Sequence, residues 1–403
     1  MAKKRGKILV VGAGPVGLVT ALGLATSGVD VMVVESEPTL THDMRAGSFH
    51  PPTLEMLEPL GVTPLMLAAG IKVPRWQIRD RRDGVVVEWD LGLLEGETPY
   101  CFRLHLEQHR LTPMVLALLR RQAKAEVHFS TRFVRAEQNE GGVRATVADA
   151  GGERVIECDY LVGCDGGRSA VRKAVGAEFP GYTWPERFLV VSTTYDFAPY
   201  GFTENAYIAD PDEWSAIFKM PHDGPPGLWR VVFPTDAEAP EDEVLDLAFC
   251  RRLLDGFLPG KGAYDIPYRS TYRVHQRVAE HFRYGRIVLA GDAAHLNNPL
   301  GAMGLNSGIH DAANLYPKLA KVWKGEADAR LLDLYERQRR TVTIEFIQEL
   351  SVRNKRLLEE RDSVVKKRRH DELRGIGADP ARAKAFLMNS SMIASVRRAA
   401  QIG

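Results

Sequence analysis

A glycine-rich turn near the start of the chain constrains the fold more than any other feature. The apolar run 8–11 leads into Gly12-Ala13-Gly14-Pro15-Val16-Gly17, which opens a helical pattern that continues to Thr26 and precedes a second apolar run, 31–34. Strand, helix and strand in this order predict a parallel strand pair with a crossover helix. Glycines in such a turn let the backbone approach a pyrophosphate, and the helix N-terminus stabilises its negative charge. The segment is therefore predicted to bind a dinucleotide.

Glu35 directly follows the second apolar run and supports the same interpretation. Its carboxylate is placed to accept hydrogen bonds from an adenosine ribose. A glycine pattern alone also fits an ordinary strand-to-helix turn, but the strand context and the terminal acid argue against that alternative. FAD and NAD share this fingerprint, so the motif alone does not choose between them.

Composition and charge argue against several broad classes. The chain has 403 residues, with 53 Lys and Arg against 52 Asp and Glu, and its net charge of +1 creates no overall field for nucleic acid or an anionic membrane. The basic cluster 366–370 is predicted to be a solvated helix face. Four scattered cysteines without a CxxC pair argue against a disulfide framework, and the sequence contains no apolar stretch of about 20 residues. We expect a cytoplasmic protein of two or three domains.

The rest of the chain divides into a β-rich middle and a helical end. Alternating runs rich in proline and aromatic residues between about 182 and 267 predict a largely antiparallel sheet. A buried strand at 286–289 and a long helical pattern at 305–323 follow. Pro317 is predicted to kink that helix or to end it early. From about 331 onward the pattern is helical and charged.

Two further motifs each follow a buried apolar run. The run 160–163 leads into Cys164-Asp165-Gly166, and the strand at 286–289 leads into Ala290-Gly291-Asp292. Pro299-Leu300-Gly301-Ala302-Met303-Gly304-Leu305-Asn306 comes next and opens the long helix. With these three motifs in this order, the chain resembles the group A flavoprotein monooxygenases, the family of para-hydroxybenzoate hydroxylase and the hydroxyphenylpropionate hydroxylases. The resemblance covers most of the first 340 residues.

The resemblance implies an α/β fold with a Rossmann-like FAD-binding domain, an inserted β-rich substrate domain and a C-terminal helical segment. The FAD-binding domain would be discontinuous and comprise 1–75, 100–180 and 281–335. The substrate domain would comprise 76–99 and 181–280, and the helical region 336–403.

The resemblance also implies which residues hold FAD without a covalent bond. They lie at the motif positions: Gly12, Gly14, Pro15, Gly17, Glu35, Arg45, Gln108, Asp165, Gly291, Asp292, Pro299, Gly301, Gly304, Leu305 and Asn306. The amides of 304–306 would face the N1 and C2 carbonyl edge of the flavin, where the reduced ring is anionic. Taken singly, Asp292 could cap a helix, Arg45 could be a surface ion-pair partner and Gln108 a helix N-terminal residue. The family's Gly-Gln is here Ala302-Met303, so no amide side chain stands at that position.

The activity implied by the resemblance is hydroxylation of a small phenolic, aromatic-acid or heteroaromatic ring. NADH or NADPH would bind transiently and reduce the flavin, and O2 would add at flavin C4a to form the hydroperoxide that transfers oxygen. The ring would lie against the middle sheet, in segments that contain Tyr195, Tyr207, Trp214, Phe218, Trp229 and Arg230. Tyr195 and Tyr207 are candidates for the phenol contact, and His50 is a candidate proton carrier. The alternative for all three is a purely structural role.

Other functions share the same cofactor fold. An FAD-dependent reductase or dehydrogenase without oxygen transfer is the main alternative, and a non-catalytic FAD-binding protein is another. A flavin-dependent halogenase would carry a Trp-x-Trp-x-Ile-Pro element, and a disulfide reductase would need a second dinucleotide domain and a cysteine pair. Neither feature occurs in the sequence. The expected partner is a small aromatic substrate, without nucleic acid or membrane, and the chain would act as a monomer or homodimer.

Overall fold

The structure is a computed structural model that describes residues 6–42, 46–224, 227–258 and 264–403. The strands in chain order are β1 Ile8–Val11, β2 Val31–Val34, β3 Ser48–Phe49, β4 Ile71–Val73, β5 Arg75–Asp80, β6 Gly84–Asp90, β7 Arg103–His105, β8 Ala125–His128, β9 Arg132–Asn139, β10 Gly142–Asp149, β11 Gly152–Cys158, β12 Tyr160–Gly163, β13 Gly181–Thr193, β14 Asn205–Ala209, β15 Ser215–Met220, β16 Leu228–Asp236, β17 Tyr268–Val278, β18 Arg283–Tyr284, β19 Ile287–Leu289 and β20 His295–Leu296. The helices are α1 Pro15–Thr26, α2 Pro51–Leu57, α3 Thr63–Ala69, α4 Gln108–Leu119, α5 Ala170–Ala174, α6 Glu241–Val244, α7 Leu247–Phe257, α8 Met303–Lys324, α9 Leu331–Val342, α10 Glu349–Leu358, α11 Ser363–Gly377, α12 Pro380–Ser390 and α13 Ile393–Gln401.

A mostly parallel sheet carries the glycine-rich turn. Its order is β18-β19-β12-β1-β2-β8, and β1 pairs in parallel with β2 on one side and β12 on the other. Every residue of β1, β2 and β12 is buried, as expected for strands covered on both faces. Helix α1 approaches α8 so closely that a Cβ on Gly23 would lie 2.4 Å from the Tyr316 ring. The predicted strand–helix–strand unit is confirmed.

The middle of the chain forms an eight-stranded sheet in the order β20-β17-β13-β16-β15-β14-β5-β6. Its pairs are antiparallel except for β14 with β5. We call the face that carries Tyr207, Ala216 and Val232 the inner face; it packs against the C-terminal helices. The opposite, outer face carries Trp229 and Val231 and is covered by α7. Both faces are therefore apolar.

The C-terminal helices dock on the inner face. The Phe386 ring of α12 stacks on the Trp89 ring of β6, with 4.0 Å between the ring centroids and an interplanar angle of 11°. Lys366 of α11 forms an ion pair with buried Asp80 at 2.5 Å, and His370 on the same helix is buried. The prediction that 366–370 is a solvated face is therefore wrong for one side of the helix. That side turns inward because Asp80 requires a cationic partner once it is buried.

The prediction for Pro317 is also wrong in one respect. Helix α8 continues through Pro317 to Lys324. The missing N–H bond costs about 3 kcal/mol in an isolated helix, but Leu315 and Leu319 on either side are completely buried. Packing of these turns holds the helix together. None of the helices in the described part of the chain has the length and apolarity needed to cross a bilayer.

Candidate active site

The glycine-rich turn forms an open cradle at the carboxyl end of β1. A Cβ on Gly12, whose φ is +105°, would lie 2.5 Å from the Cys164 carbonyl oxygen, and one on Gly17 would lie 2.0 Å from the Gly12 carbonyl oxygen. Gly14 differs, because a Cβ there would meet no described atom within 4 Å. The first and third glycines are thus required by the turn itself, whereas the second leaves space for a ligand.

Glu35 braces this turn. One carboxylate oxygen accepts a hydrogen bond from the Ala13 amide at 2.7 Å, and the other accepts from the Ser36 hydroxyl and the Glu37 amide at 3.0 Å each. The side chain lies at the rim of the cavity that holds the cradle. Its contact with a ribose stays a prediction.

The second motif is shaped by the Asp165 carboxylate. It accepts hydrogen bonds from the Ser169 hydroxyl at 2.5 Å and from the Ala170 and Val171 amides at 2.7 and 3.0 Å. These bonds hold the turn that precedes α5. Arg172 then joins this turn to the third motif, because its guanidinium donates to the Gly167 and Ala293 carbonyl oxygens at 2.7 and 2.9 Å.

A buried ionic group supports the third motif from behind. The Asp311 carboxylate accepts from the Gly291 amide at 2.9 Å and contacts His295 Nε2 and Arg339 Nε at 2.7 Å each. Burial acts to raise the pKa of Asp311, but the charges and hydrogen bonds of His295 and Arg339 outweigh it and lower the pKa to about 2. Asp311 was not among the residues predicted from the sequence. The only indication in the sequence was that an acidic residue stands within an apolar helical pattern.

Asn306 fixes the start of α8 to β3 and α2. Its Nδ2 donates to the Ser48 and Ala302 carbonyl oxygens at 2.8 and 2.6 Å, and its Oδ1 accepts from the His50 amide and the Thr53 hydroxyl at 2.9 and 2.6 Å. All four hydrogen-bonding positions of the amide are therefore used. The side chain of Asn306 positions the loop, and only its backbone is left for a cofactor.

The turn before α8 has an unusual backbone. Ala302 precedes the helix in the left-handed region with φ 56° and ψ 36°, which is costly for a residue with a Cβ. No acidic residue stands in the first turn of the helix. Because the first N–H groups of a helix have no acceptor within it, this end presents amides and positive dipole to the cavity lined by Gly304 and Leu305.

These elements enclose a cavity of about 690 Å³, which we call the flavin cavity. Ten predicted cofactor residues line it: Gly12, Gly14, Pro15, Glu35, Gln108, Asp165, Asp292, Pro299, Gly304 and Leu305. Gly17, Gly291 and Asn306 lie behind the lining and support it, and Gly301 lines a neighbouring cavity. Arg45 lies outside the described residues.

Two observations indicate that a dinucleotide fits here. The cradle at Gly14 is open, and a pyrophosphate needs such close access to backbone amides. Within the described part of the chain, the buried hydroxyl of Ser48 has no hydrogen-bond partner, although it lines the same cavity. A buried polar atom of this kind is normally satisfied by a ligand or water.

The candidate substrate residues separate onto the two faces of the eight-stranded sheet. Phe218 and Arg230 line the flavin cavity from the inner face, and Tyr207 lies on the same face. Tyr195 and Trp229 belong to the outer face. The Tyr195 hydroxyl bonds the Tyr200 hydroxyl at 2.7 Å beneath α7.

The structure therefore does not bring Tyr195 or Trp229 to the candidate site. Trp229 Nε1 instead donates to Asp196 at 3.2 Å. The physical reason is strand alternation, which sends Trp229 and Arg230 to opposite sides of the sheet.

His50 lies behind the loop rather than in the lining of either cavity. Its Nε2 bonds the Gly301 carbonyl oxygen at 2.8 Å, so Nε2 carries the proton. Complete burial and the charge of Arg103 lower the pKa of His50 to about 3. A neutral imidazole with its proton engaged is poorly matched to proton transfer near neutral pH. The contacts support a positioning role for His50.

Glu107, Arg103 and Asn205 near the inner face were not predicted from the sequence, unlike their partners Arg230 and Tyr207. Glu107 and Arg230 are buried and lie 3.6 Å apart. Arg103 donates to Asn205 at 2.7 Å and also hydrogen-bonds Tyr207. In the sequence, these residues are marked only by a polar or charged side chain next to apolar neighbours. Without the sheet register, that signal could not be assigned to a site.

Sequence comparisons agree with the dinucleotide site that the geometry indicates. The sequence profile of a family described as FAD binding domain matches residues 5–349. The para-nitrophenol 4-monooxygenase of Pseudomonas sp. (strain WBC-3) is 34% identical over 385 residues, which cover 95% of this chain and 94% of that enzyme. The chain belongs to the FAD-dependent aromatic hydroxylases. The 6-hydroxy-3-succinoylpyridine 3-monooxygenase of Pseudomonas putida (strain DSM 28022 / S16) is 35% identical over 345 residues, covering 85% of this chain and 86% of that enzyme.

A crystal structure of p-nitrophenol 4-monooxygenase from Pseudomonas putida DLL-E4 has the same fold as this hydroxylase. The TM-score is 0.91 at 30% identity, and 99% of both chains is covered. The predicted fold class is confirmed. The hydroxylase uses FAD with NAD(P)H and O2, and the alternative of a reductase or dehydrogenase without oxygen transfer is not favoured.

Substitutions at Gly14 and Gly17 distinguish a glycine that leaves space for a ligand from one that the turn requires. Gly14→Ala is expected to fold with an unchanged melting temperature, because φ of −69° suits alanine and its methyl group meets only open space. That methyl group would occupy the cradle and weaken FAD binding about tenfold or more. Gly17→Ala is the comparison and is expected to lose stability, since its Cβ overlaps the Gly12 carbonyl oxygen. Titration of apoprotein with FAD and thermal melts measure both effects; normal FAD affinity in Gly14→Ala would contradict the assignment.

Asp311→Asn leaves the buried Arg339 guanidinium without its anionic partner. We expect a loss of about 3 kcal/mol in unfolding free energy near neutral pH and weaker FAD binding. Because the folded pKa of Asp311 is depressed to about 2, its stabilisation is present above an unfolded pKa of about 4 and is lost as pH falls below it. Urea unfolding at about pH 6 and pH 3 should show the difference from wild type shrinking with acid. Asp223→Asn, at an exposed carboxylate, is the control and should show little change.

Proposed function

We propose that this hydroxylase oxygenates a phenol-type ring at the carbon opposite its hydroxyl group, with the ring bound in the flavin cavity against the inner face of the sheet. The observation that carries the proposal is a buried arginine in an apolar wall of that cavity. Arg230 is 1% exposed and lines the cavity among Ala216, Phe218 and Val232.

Arg230 is suited to bind the oxygen of a phenol in its anionic form. A guanidinium has five N–H donors, enough to serve both the Glu107 carboxylate 3.6 Å away and the oxygen of a ligand. A charge-assisted hydrogen bond in a dry cavity favours the phenolate over the neutral phenol. The ring carbon opposite a phenolate oxygen is electron-rich, so this anchor supports attack at that carbon.

The rest of the wall supplies a slot for a flat ring. Phe218, Tyr272 and Val274 on the inner face line the cavity, and so do Pro299 and Leu300 of the loop before α8. Apolar surfaces of this kind exclude water and favour an aromatic ring. Exclusion of water protects the oxygenating species from unproductive decay.

The names of two relatives support the ring position. Para-nitrophenol 4-monooxygenase and 6-hydroxy-3-succinoylpyridine 3-monooxygenase each act, by name, at the ring carbon across from a hydroxyl group. In both names that carbon already carries a substituent. We extend this position to the present hydroxylase, with a para-substituted phenol or hydroxypyridine as the substrate class.

The cofactor roles are proposed for residues of the flavin cavity. Bound FAD supplies the transfer of two electrons from NAD(P)H and the activation of O2. We propose that the cradle at Gly12 and Gly14 holds the pyrophosphate, and that Gln108 and Asp292 hold the flanking groups. The amides at Gly304 and Leu305 would stabilise the negative edge of the reduced flavin through the helix dipole.

The setting of the enzyme is part of the proposal. We infer a cytoplasmic monomer or homodimer that acts without nucleic acid. The near balance of 53 basic and 52 acidic residues supports the absence of a nucleic-acid partner. The four cysteines are all free, which is typical of a reducing compartment.

Product analysis with 4-nitrophenol tests the ring position. One oxygen atom of O2 is expected to form a bond to C4, while the other leaves as water with the two electrons of NAD(P)H. The C4–N bond then breaks with its electron pair on nitrite, and the ring becomes 1,4-benzoquinone. Oxygen-18 gas should label the new carbonyl and leave the original hydroxyl oxygen unlabelled. A catechol that retains the nitro group, or NAD(P)H oxidation without labelled product, would contradict the proposal.

Arg230 provides the matching variant test. Arg230→Gln is expected to raise KM for 4-nitrophenol about tenfold or more, because a charge-assisted bond to the phenolate is lost. Arg230→Lys keeps the charge but not the planar fork and should retain part of the affinity. FAD content is measured in both variants to exclude loss of the cofactor. If both variants keep the wild-type KM, Arg230 is not the phenolate anchor.

A further inference from the structure

A second cavity of about 770 Å³ lies beside the flavin cavity on the same inner face of the sheet. Trp76 and Tyr207 line it from the sheet, and helices α10, α11 and α12 cover it. Neither the motifs nor the proposed chemistry uses this space. We call it the vestibule.

A single stretch of backbone separates the vestibule from the flavin cavity. Along residues 299–303, Pro299, Leu300 and Ala302 line the flavin cavity, whereas Gly301 and Met303 line the vestibule. Adjacent residues thus face opposite cavities. The partition is one chain thick at this point.

The lining of the vestibule combines apolar walls with charged groups, in which four arginines outnumber the two carboxylates of Glu349 and Glu372. The walls are formed by apolar side chains of the sheet and the C-terminal helices: Trp76, Ile78, Leu350, Leu357, Leu373 and Phe386. Tyr182 and Ile344 also line it and are each 44% exposed, so the vestibule opens to solvent beside them. Arg353 and Arg356, one turn apart on α10, line it and reach solvent. Apolar surface next to arginines is the chemistry that recognises an aromatic anion.

The inner end of the vestibule carries a hydroxyl with a proton to donate. Tyr207 Oη accepts a hydrogen bond from the Gly301 amide at 3.2 Å and is also hydrogen-bonded by the buried Arg103 guanidinium. Both partners are donors only, so the tyrosine proton remains for an acceptor such as a phenolate oxygen. Tyr207 therefore links a ligand in the vestibule directly to the partition.

We propose that the vestibule is a second binding site for an aromatic anion and that the ring substrate passes from it into the flavin cavity across Gly301–Met303. This inference rests on the proposed function, because it takes the same substrate class. Arg353 and Arg356 gather the anion at the mouth, the apolar walls hold its ring, and Tyr207 receives its oxygen at the partition.

Passage across the partition requires this short segment of backbone to move. Met303, which stands where the family has a glutamine, has a flexible apolar side chain that adapts to different packings. Gly301 has φ +106°, and a Cβ there would lie 2.8 Å from Asn354 Nδ2 and 2.9 Å from Met303 Cε. The hydrogen bonds that would have to shift include those from His50 to the Gly301 carbonyl oxygen, from Asn354 to the Leu300 carbonyl oxygen, from the Gly301 amide to Tyr207 and from Asn306 to the Ala302 carbonyl oxygen.

Filling the vestibule tests its role in the holoenzyme. Leu357→Trp adds bulk to the wall, and Leu65→Trp adds the same bulk at an exposed leucine that lines neither cavity. For 4-nitrophenol, kcat/KM is expected to fall about tenfold in Leu357→Trp and to stay within about twofold of wild type in Leu65→Trp. FAD content and melting temperature are measured in both. If the space is only a packing defect, Leu357→Trp leaves kcat/KM unchanged, and the proposal is overturned.

Removing the charges at the mouth tests capture of the anion. The double variant Arg353→Gln/Arg356→Gln is expected to lower kcat/KM for 4-nitrophenolate at least about fivefold at low salt, with the difference shrinking at high salt. Arg361→Gln/Arg382→Gln removes the same charge from exposed positions outside the vestibule and should match wild type. Equal losses in the two double variants would indicate a general charge effect and overturn the assignment.

Crystals of the holoenzyme soaked in 4-nitrophenol separate this inference from the proposed function. A ring in the vestibule that contacts Tyr207 supports the second site even when product analysis finds no oxygenation at C4, which would defeat only the proposed function. A vestibule that stays empty while the flavin cavity fills defeats the inference and leaves the proposed function standing.

Discussion

The buried carboxylate of Asp311 is the contact on which the architecture of the active site depends. It binds the Gly291 amide at the end of the parallel sheet, His295 in an edge strand of the eight-stranded sheet and Arg339 in the C-terminal region. One side chain thus joins α9 to the ends of the two sheets, where Asp292 and Leu296 line the flavin cavity. A buried anion with this number of partners is expensive to leave unpaired, so the relative positions of the three parts are strongly specified. Asp311 lies in α8, and Asn306 lies in the same helix about one turn and a half earlier. The Asn306 side-chain amide uses all its hydrogen-bonding positions and fixes the loop at Ser48.

The two faces of the eight-stranded sheet have different roles. Its outer face is sealed by α7 and serves stability, while its inner face supplies the walls of both cavities. The C-terminal helices complete the inner side, since their apolar residues pack on Trp76 and Trp89 and leave the vestibule between them. The residues that line the two cavities therefore come from elements far apart in sequence. The cofactor motifs, in contrast, lie at strand ends within one sheet.

The partition between the cavities concentrates the strain of the site. Ala302 adopts a left-handed backbone, Gly301 has no room for a side chain, and both precede the helix whose amides face the flavin cavity. Such strain persists only where the surroundings hold it, and here His50, Tyr207, Asn354 and Asn306 do so. The flavin cavity and the vestibule share this one segment as a wall.

The sequence by itself determined the cofactor domain, since glycine spacing, strand ends and helix starts are local properties that have to coincide for a dinucleotide to bind. The spacing of Gly12, Gly14 and Gly17 predicts the turn, in which a Cβ is excluded at two of them and the third leaves an open cradle. Tertiary structure alone decided which residues of the middle sheet face the flavin cavity. In residues 228–233 of β16 both faces are buried, so no alternation of polar and apolar residues marks the side of Arg230 or Trp229. Asp311, the vestibule and the face of α11 that meets Asp80 depend on contacts between distant segments, and no local pattern encodes them.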